Sequence, residues 1–134
     1  MSLDVSAELL AAAEQGDVGD EEFARCIRGS LPYAWELVSR LSTRLLVEGG
    51  PFADNTTPPD TEQQRGQLLR ALASDSIRGC LERTFGVKLA FQNCHRVAVF
   101  PAAEGQQGME SGAYRRFVSP REQLLNQAPE LRDC

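Results

Sequence analysis

TEQQRGQLLRALASDSIRGCLERTFGVKLAFQNCHRVAVF, residues 61–100, is the stretch whose pattern decides the fold. Thr61-x-x-Gln64 is a capping box, in which the Thr hydroxyl and the Gln side chain each satisfy a free backbone N–H at a helix start. Leu68, Leu69 and Leu72 mark the helix that follows, and Ser74-Asp75-Ser76 recaps it. Ile77, Cys80, Leu81, Thr84 and Phe85 then recur at i, i+3, i+4, i+7 and i+8, one face of a second helix. Gly86 stops it. Beyond it the period changes to two: Val87, Leu89 and Phe91 alternate with Lys88, Ala90 and Gln92. Arg96-Val97-Ala98-Val99-Phe100 has strand composition, and Gln92-Asn93-Cys94-His95 between the two runs suits a tight turn, which predicts a β-hairpin.

Upstream, the pattern is helical. Residues 4–15 predict a short helix capped by Asp4 and stopped by Gly16. Asp20 opens a second, with Phe23, Cys26 and Ile27 on one side. Ser30 opens the third, with Pro32 in its first turn, where a missing N–H costs nothing. Its stripe runs through Leu31, Ala34, Trp35, Val38, Leu41, Leu45 and Leu46 to Gly49-Gly50-Pro51. Residues 49–61, with repeated Gly and Pro, predict an irregular loop. Downstream, residues 102–118 predict a linker or extended segment. Ser119-x-x-Glu122, with Pro120 at the first helical position, opens a short tail helix. The expected fold is α+β and predominantly helical: one domain over 1–101 with a C-terminal β-hairpin, then the linker, then a tail over 119–134. The expected core is Phe23, Ile27, Trp35, Val38, Leu41, Leu45, Leu69, Leu72, Ile77, Leu81, Phe85, Leu89, Phe91, Val97 and Val99. A lone hairpin is marginal in water, so it must pack on the helices or find another strand, within the chain or from a second subunit.

Bulk properties narrow the function. A chain of 134 residues is long enough for a self-sufficient core. Its formal net charge is −5, and the excess acid lies in the first thirty residues: Asp4, Glu8, Glu14, Asp17, Asp20, Glu21 and Glu22 against Arg25 and Arg28. That balance lacks the footprint of a nucleic-acid binder and is repelled by an anionic membrane surface. The reading is therefore no nucleic acid and no membrane. No secretory signal and no run of membrane-spanning length is legible, and the dispersed Cys26, Cys80, Cys94 and Cys134 fit reduced thiols, which predicts a cytoplasmic protein. The bases are Arg apart from Lys88, a coding bias of high-GC genomes that points to a bacterial, actinobacterial source. SLPYAWELVSRL (30–41), RGQLLRALASDSIRG (65–79) and FGVKLAFQNCHRVAVF (85–100) resemble stretches of uncharacterised small proteins of Streptomyces-type actinobacteria. The resemblance covers 17–101 and implies no activity.

The constellations that carry chemistry are few. Cys94-His95 is the sharpest catalytic candidate, because a thiolate nucleophile needs an adjacent base. On a strand the two would point to opposite faces, so only a turn could pair them; the plain alternative is a His hydrogen-bonded locally. One His and no Cys-x-x-Cys argue against a metal site, and no phosphate-binding Gly motif argues for a cofactor, so none of either is expected. Three readings follow. The first is a non-enzymatic interaction or regulatory accessory protein that works through a surface or dimer contact, with a protein partner or self-association. The second is a small-ligand sensor with Trp35, Phe91 and Arg96 as walls of a pocket between the third helix and the hairpin. The third is a thiol enzyme built on Cys94 and His95.

Overall fold

The structure is a computed structural model that describes residues 2–93, 95–102 and 112–125. Among the described residues seven α-helices and three strands follow the order α1 (Ala7–Glu14), α2 (Asp20–Ser30), α3 (Pro32–Glu48), β1 (Ala53–Asp54), α4 (Glu62–Leu72), α5 (Asp75–Phe85), β2 (Val87–Gln92), β3 (Arg96–Pro101), α6 (Gly112–Phe117) and α7 (Pro120–Leu125). The fold is α+β and predominantly helical. The expected caps form at α4 and α5: Gln64 N–H donates to Thr61 Oγ1 (3.1 Å), Gln64 Oε1 accepts from Asp60 N–H (2.7 Å), and Ile77 N–H donates to Ser74 Oγ (3.4 Å). Gly86 ends α5 in the left-handed region (φ 65°, ψ 40°).

The helix starts nearer the N-terminus shift from their expected places. Ser6, not Asp4, caps α1, and Gly19 precedes α2 so that Asp20 becomes its first residue. Ser30 is the last residue of α2; α3 starts at Pro32 with no side-chain cap of its own. Its Tyr33 and Ala34 N–H groups donate instead to Oε1 of buried Gln67 on α4 (2.7 and 3.2 Å). Asp20 and Arg83 form a two-pronged ion pair that joins α2 to α5 (2.6 and 2.9 Å). The Arg83 guanidinium holds the Asp20 carboxyl below the usual carboxylate range.

The hairpin forms with Val87 opposite Pro101 and Gln92 opposite Arg96. Its third strand comes from the same chain. Ala53 and Asp54 pair with Val99 and Ala98, giving an antiparallel sheet of order β1-β3-β2. This corrects the expectation of an irregular loop over 49–61. Two residues suffice because Asn55 continues the ladder with its side chain: Oδ1 accepts from Val97 N–H (2.8 Å) and Nδ2 donates to the His95 carbonyl (2.8 Å). On the outer edge of β2, Glu82 Oε2 accepts from Leu89 N–H (2.9 Å) and pairs with Lys88 Nζ (3.6 Å).

Both faces of the sheet are covered, which accounts for the unbroken apolar run 97–100. Leu89, Val97 and Val99 face the helices, where they join Ile27, Leu31, Leu37, Val38, Leu41, Leu68, Leu72, Ile77 and Leu81 in one core. Ala90, Ala98 and Phe100 face the other way, against Phe52, Tyr114 and Phe117. The chain over 112–117 is thus helical, a correction to the extended piece expected around Tyr114 and Phe117, while 103–111 of the expected linker lie outside the described residues. Tyr114 and Phe117 are three residues apart, a spacing that puts both rings on one side of a helix but on opposite faces of a strand. Both rings meet Phe100 edge-on, with centroids 5.2 and 5.8 Å away. Leu69 is the one expected core residue found outside, 52% exposed, because α4 turns Gln67, Leu68, Ala71 and Leu72 inward.

Candidate functional site

Three glycines shape an open groove at one end of the molecule. Gly49 and Gly50 (φ 74° and 94°) break α3, and Gly86 breaks α5, where both helices end above the base of the hairpin. A Cβ built on any of the three would meet nothing within 4 Å, so these corners contribute open space instead of side chains. The groove has a volume of about 610 Å³, bounded by Leu45 and Leu46 of α3, Phe85 of α5, Val87 of β2 and the chain leaving β3 at Pro101 and Ala102. Phe85 is held rigid by an edge-on contact with Trp35 (5.1 Å), and the Arg28 guanidinium lies 5.9 Å from the Trp35 ring centroid.

Leu46 stands 85% exposed beside this groove, and its neighbour Val47 is 77% exposed. Leaving large apolar side chains in water opposes folding by forgoing the favourable transfer of their surface. Ser42 lines the same groove, and its buried hydroxyl has no hydrogen-bond partner among the described residues. An open groove lined mainly by apolar side chains, with the Ser42 hydroxyl buried behind its wall, suits an apolar side chain. It offers no acid, base or nucleophilic pair. The acidic α1–α2 end lies elsewhere.

The expected site residues disperse. Trp35 and Phe91 both pack against the helix-side core, whereas Arg96 projects from the other face of the sheet. There Arg96 Nε donates to Asp54 Oδ2 (2.9 Å) and its guanidinium lies 4.7 Å from the Phe117 ring centroid. The three do not wall one pocket, and the space between α3 and the sheet is filled by Leu41, Val97 and Val99. Cys94 lies outside the described residues. His95 is buried in the turn, where its Nδ1–H donates to the Asn93 carbonyl. That contact fixes the ring locally, and no carboxylate or thiol is hydrogen-bonded to it among the described residues. Asn93 takes a left-handed conformation (φ 51°), which Asn tolerates well. Burial raises the pKa of the Cys80 thiol, partly opposed by Thr84, which keeps it protonated and unreactive. Among the described residues no three His, Cys, Asp or Glu side chains could share a metal ion, and no helix is long and apolar enough to cross a membrane.

A family model described as NucS shadow ORF matches residues 1–134. The chain belongs to the NucS shadow ORF family. The match covers both the helical body and the stretch that closes the outer sheet face, so the groove and the aromatic cluster lie within the family's own span. The description of the NucS shadow ORF family names no reaction, substrate or cofactor. No curated protein and no solved structure matches the chain.

Proposed function

We propose that this member of the NucS shadow ORF family is a non-catalytic interaction protein that receives an apolar segment of a protein partner in the groove beside Leu46. The exposure of Leu46 at an open, mainly apolar groove carries this reading. Burying that side chain would contribute about 1.5–3 kcal/mol to a complex, a useful fraction of a specific contact.

A second copy of the chain is the partner to test. Native mass over a concentration range should reveal an association that Leu46→Asp abolishes. Circular dichroism of the variant should match wild type, since the side chain already faces water. A wild-type chain that stays monomeric, or an assembly that the variant forms equally well, overturns the reading.

A further inference from the structure

The opposite side of α3 carries a different kind of site. Tyr33, Arg40 and Arg44 recur along one helical stripe and face the 55–60 loop across a polar cleft of about 430 Å³. Arg44 is anchored, with Nη2 donating to the Asp54 carbonyl (2.6 Å) and its remaining donors free of any described partner. Arg40, one turn earlier, makes no ion pair or hydrogen bond among the described residues. Thr56 and Thr57 bring hydroxyls from the loop, and the backbone behind Tyr33 is fixed by Gln67. Asp60 is the one carboxylate in the lining; Glu36 and Glu48 lie with Arg40 and Arg44 along the outer flank of the helix. The Tyr33 hydroxyl is kept protonated by burial, against the pull of Arg40 and with a push from Asp60. It therefore remains a donor.

We propose that this cleft binds a compact oxyanion of the phosphate type, free or as a small phosphomonoester, through the paired guanidinium groups of Arg40 and Arg44, with hydroxyl donors from Tyr33, Thr56 and Thr57. Planar guanidinium forks match tetrahedral oxyanions better than ammonium groups do, and two of them one helical turn apart can grip one ligand from two sides. Asp60 opposes the bound charge and so sets the affinity. The cleft is independent of the Leu46 groove, and its fate does not depend on that reading.

The test uses the full chain at constant ionic strength, titrated with inorganic phosphate and separately with O-phosphoserine, with chloride as the reference ion. Calorimetry and amide-resolved NMR should show saturable binding of at least one of them, with shifts centred on Arg40, Arg44 and residues 55–60. Arg40→Ala should weaken binding about tenfold or more, the size of one lost charge-assisted contact, and Arg40→Lys should recover part of it. Asp60→Asn should tighten it. Preference for O-phosphoserine would assign the site to esters, and preference for inorganic phosphate to the free ion. A response no different from chloride, or an Arg40→Ala affinity within about twofold of wild type, well below one charge-assisted contact, overturns the proposal.

Discussion

The N–H groups of Tyr33 and Ala34 open the longest helix of the chain, yet their acceptor is a side chain on another element, Oε1 of Gln67. Helix starts expose backbone donors that need partners when buried, and Leu31 at the cap position has no side-chain oxygen to offer. Gln67→Ala should therefore cost about 2–3 kcal/mol, since it strands two donors near the core. Gln67→Met, of similar bulk, should lose nearly as much, which separates the missing acceptor from the missing volume. Urea denaturation of the three proteins checks this. The sequence carried a trace of the role. Gln67 falls on the same helical seam as Leu68, Ala71 and Leu72, where a polar side chain is out of place unless it is bonded. Reading the leucines alone puts Leu69 on that seam and hides the Gln. His95 sits in the turn with its ring bonded to a carbonyl two positions away, and Cys94 lies outside the described residues.

At the scale of elements, Gly86 joins α5 to β2 in a left-handed conformation that costs an L-residue strain. Because an added Cβ would touch nothing within 4 Å, Gly86→Ala isolates the backbone term. It should destabilise by about 1 kcal/mol without moving the sheet, measured by chemical denaturation with an unchanged slope. This helix stop was legible, as were the caps at Thr61, Ser74 and Ser119, because each depends on residues within a few positions of one another. The hairpin was legible from its change of period. β1 and α6 were not. Two residues of β1 become a strand only because β3 and the Asn55 amide complete the rung, and six residues of α6 become a helix only against Phe100. Short elements take their form from a partner distant in sequence, which no local pattern reports.

For the molecule as a whole, the aromatic cluster on the outer face of the sheet ties 112–125 to the body. Phe117 is buried there beside Phe100, and its carbonyl accepts from the Gln92 side chain. Phe117→Ala should lower stability by about 3 kcal/mol and release hydrogen-exchange protection in α6 before the helix-side core, a pattern that amide exchange would resolve. The same arrangement leaves Leu124 and Leu125 of α7 facing water, 73% and 64% exposed, so the chain shows leucines at both the Leu46 groove and the tail. Apolar display of this kind brings a hazard that the rim of the sheet answers. A bare rim is where foreign strands attach one after another and fibres begin. The Glu82 carboxylate already occupies the Leu89 N–H on that rim, with the Lys88 ammonium beside it. A newcomer would have to evict a charged plug to add the first rung. Apolar side chains thus stand in water beside a backbone rim that is plugged against endless stacking.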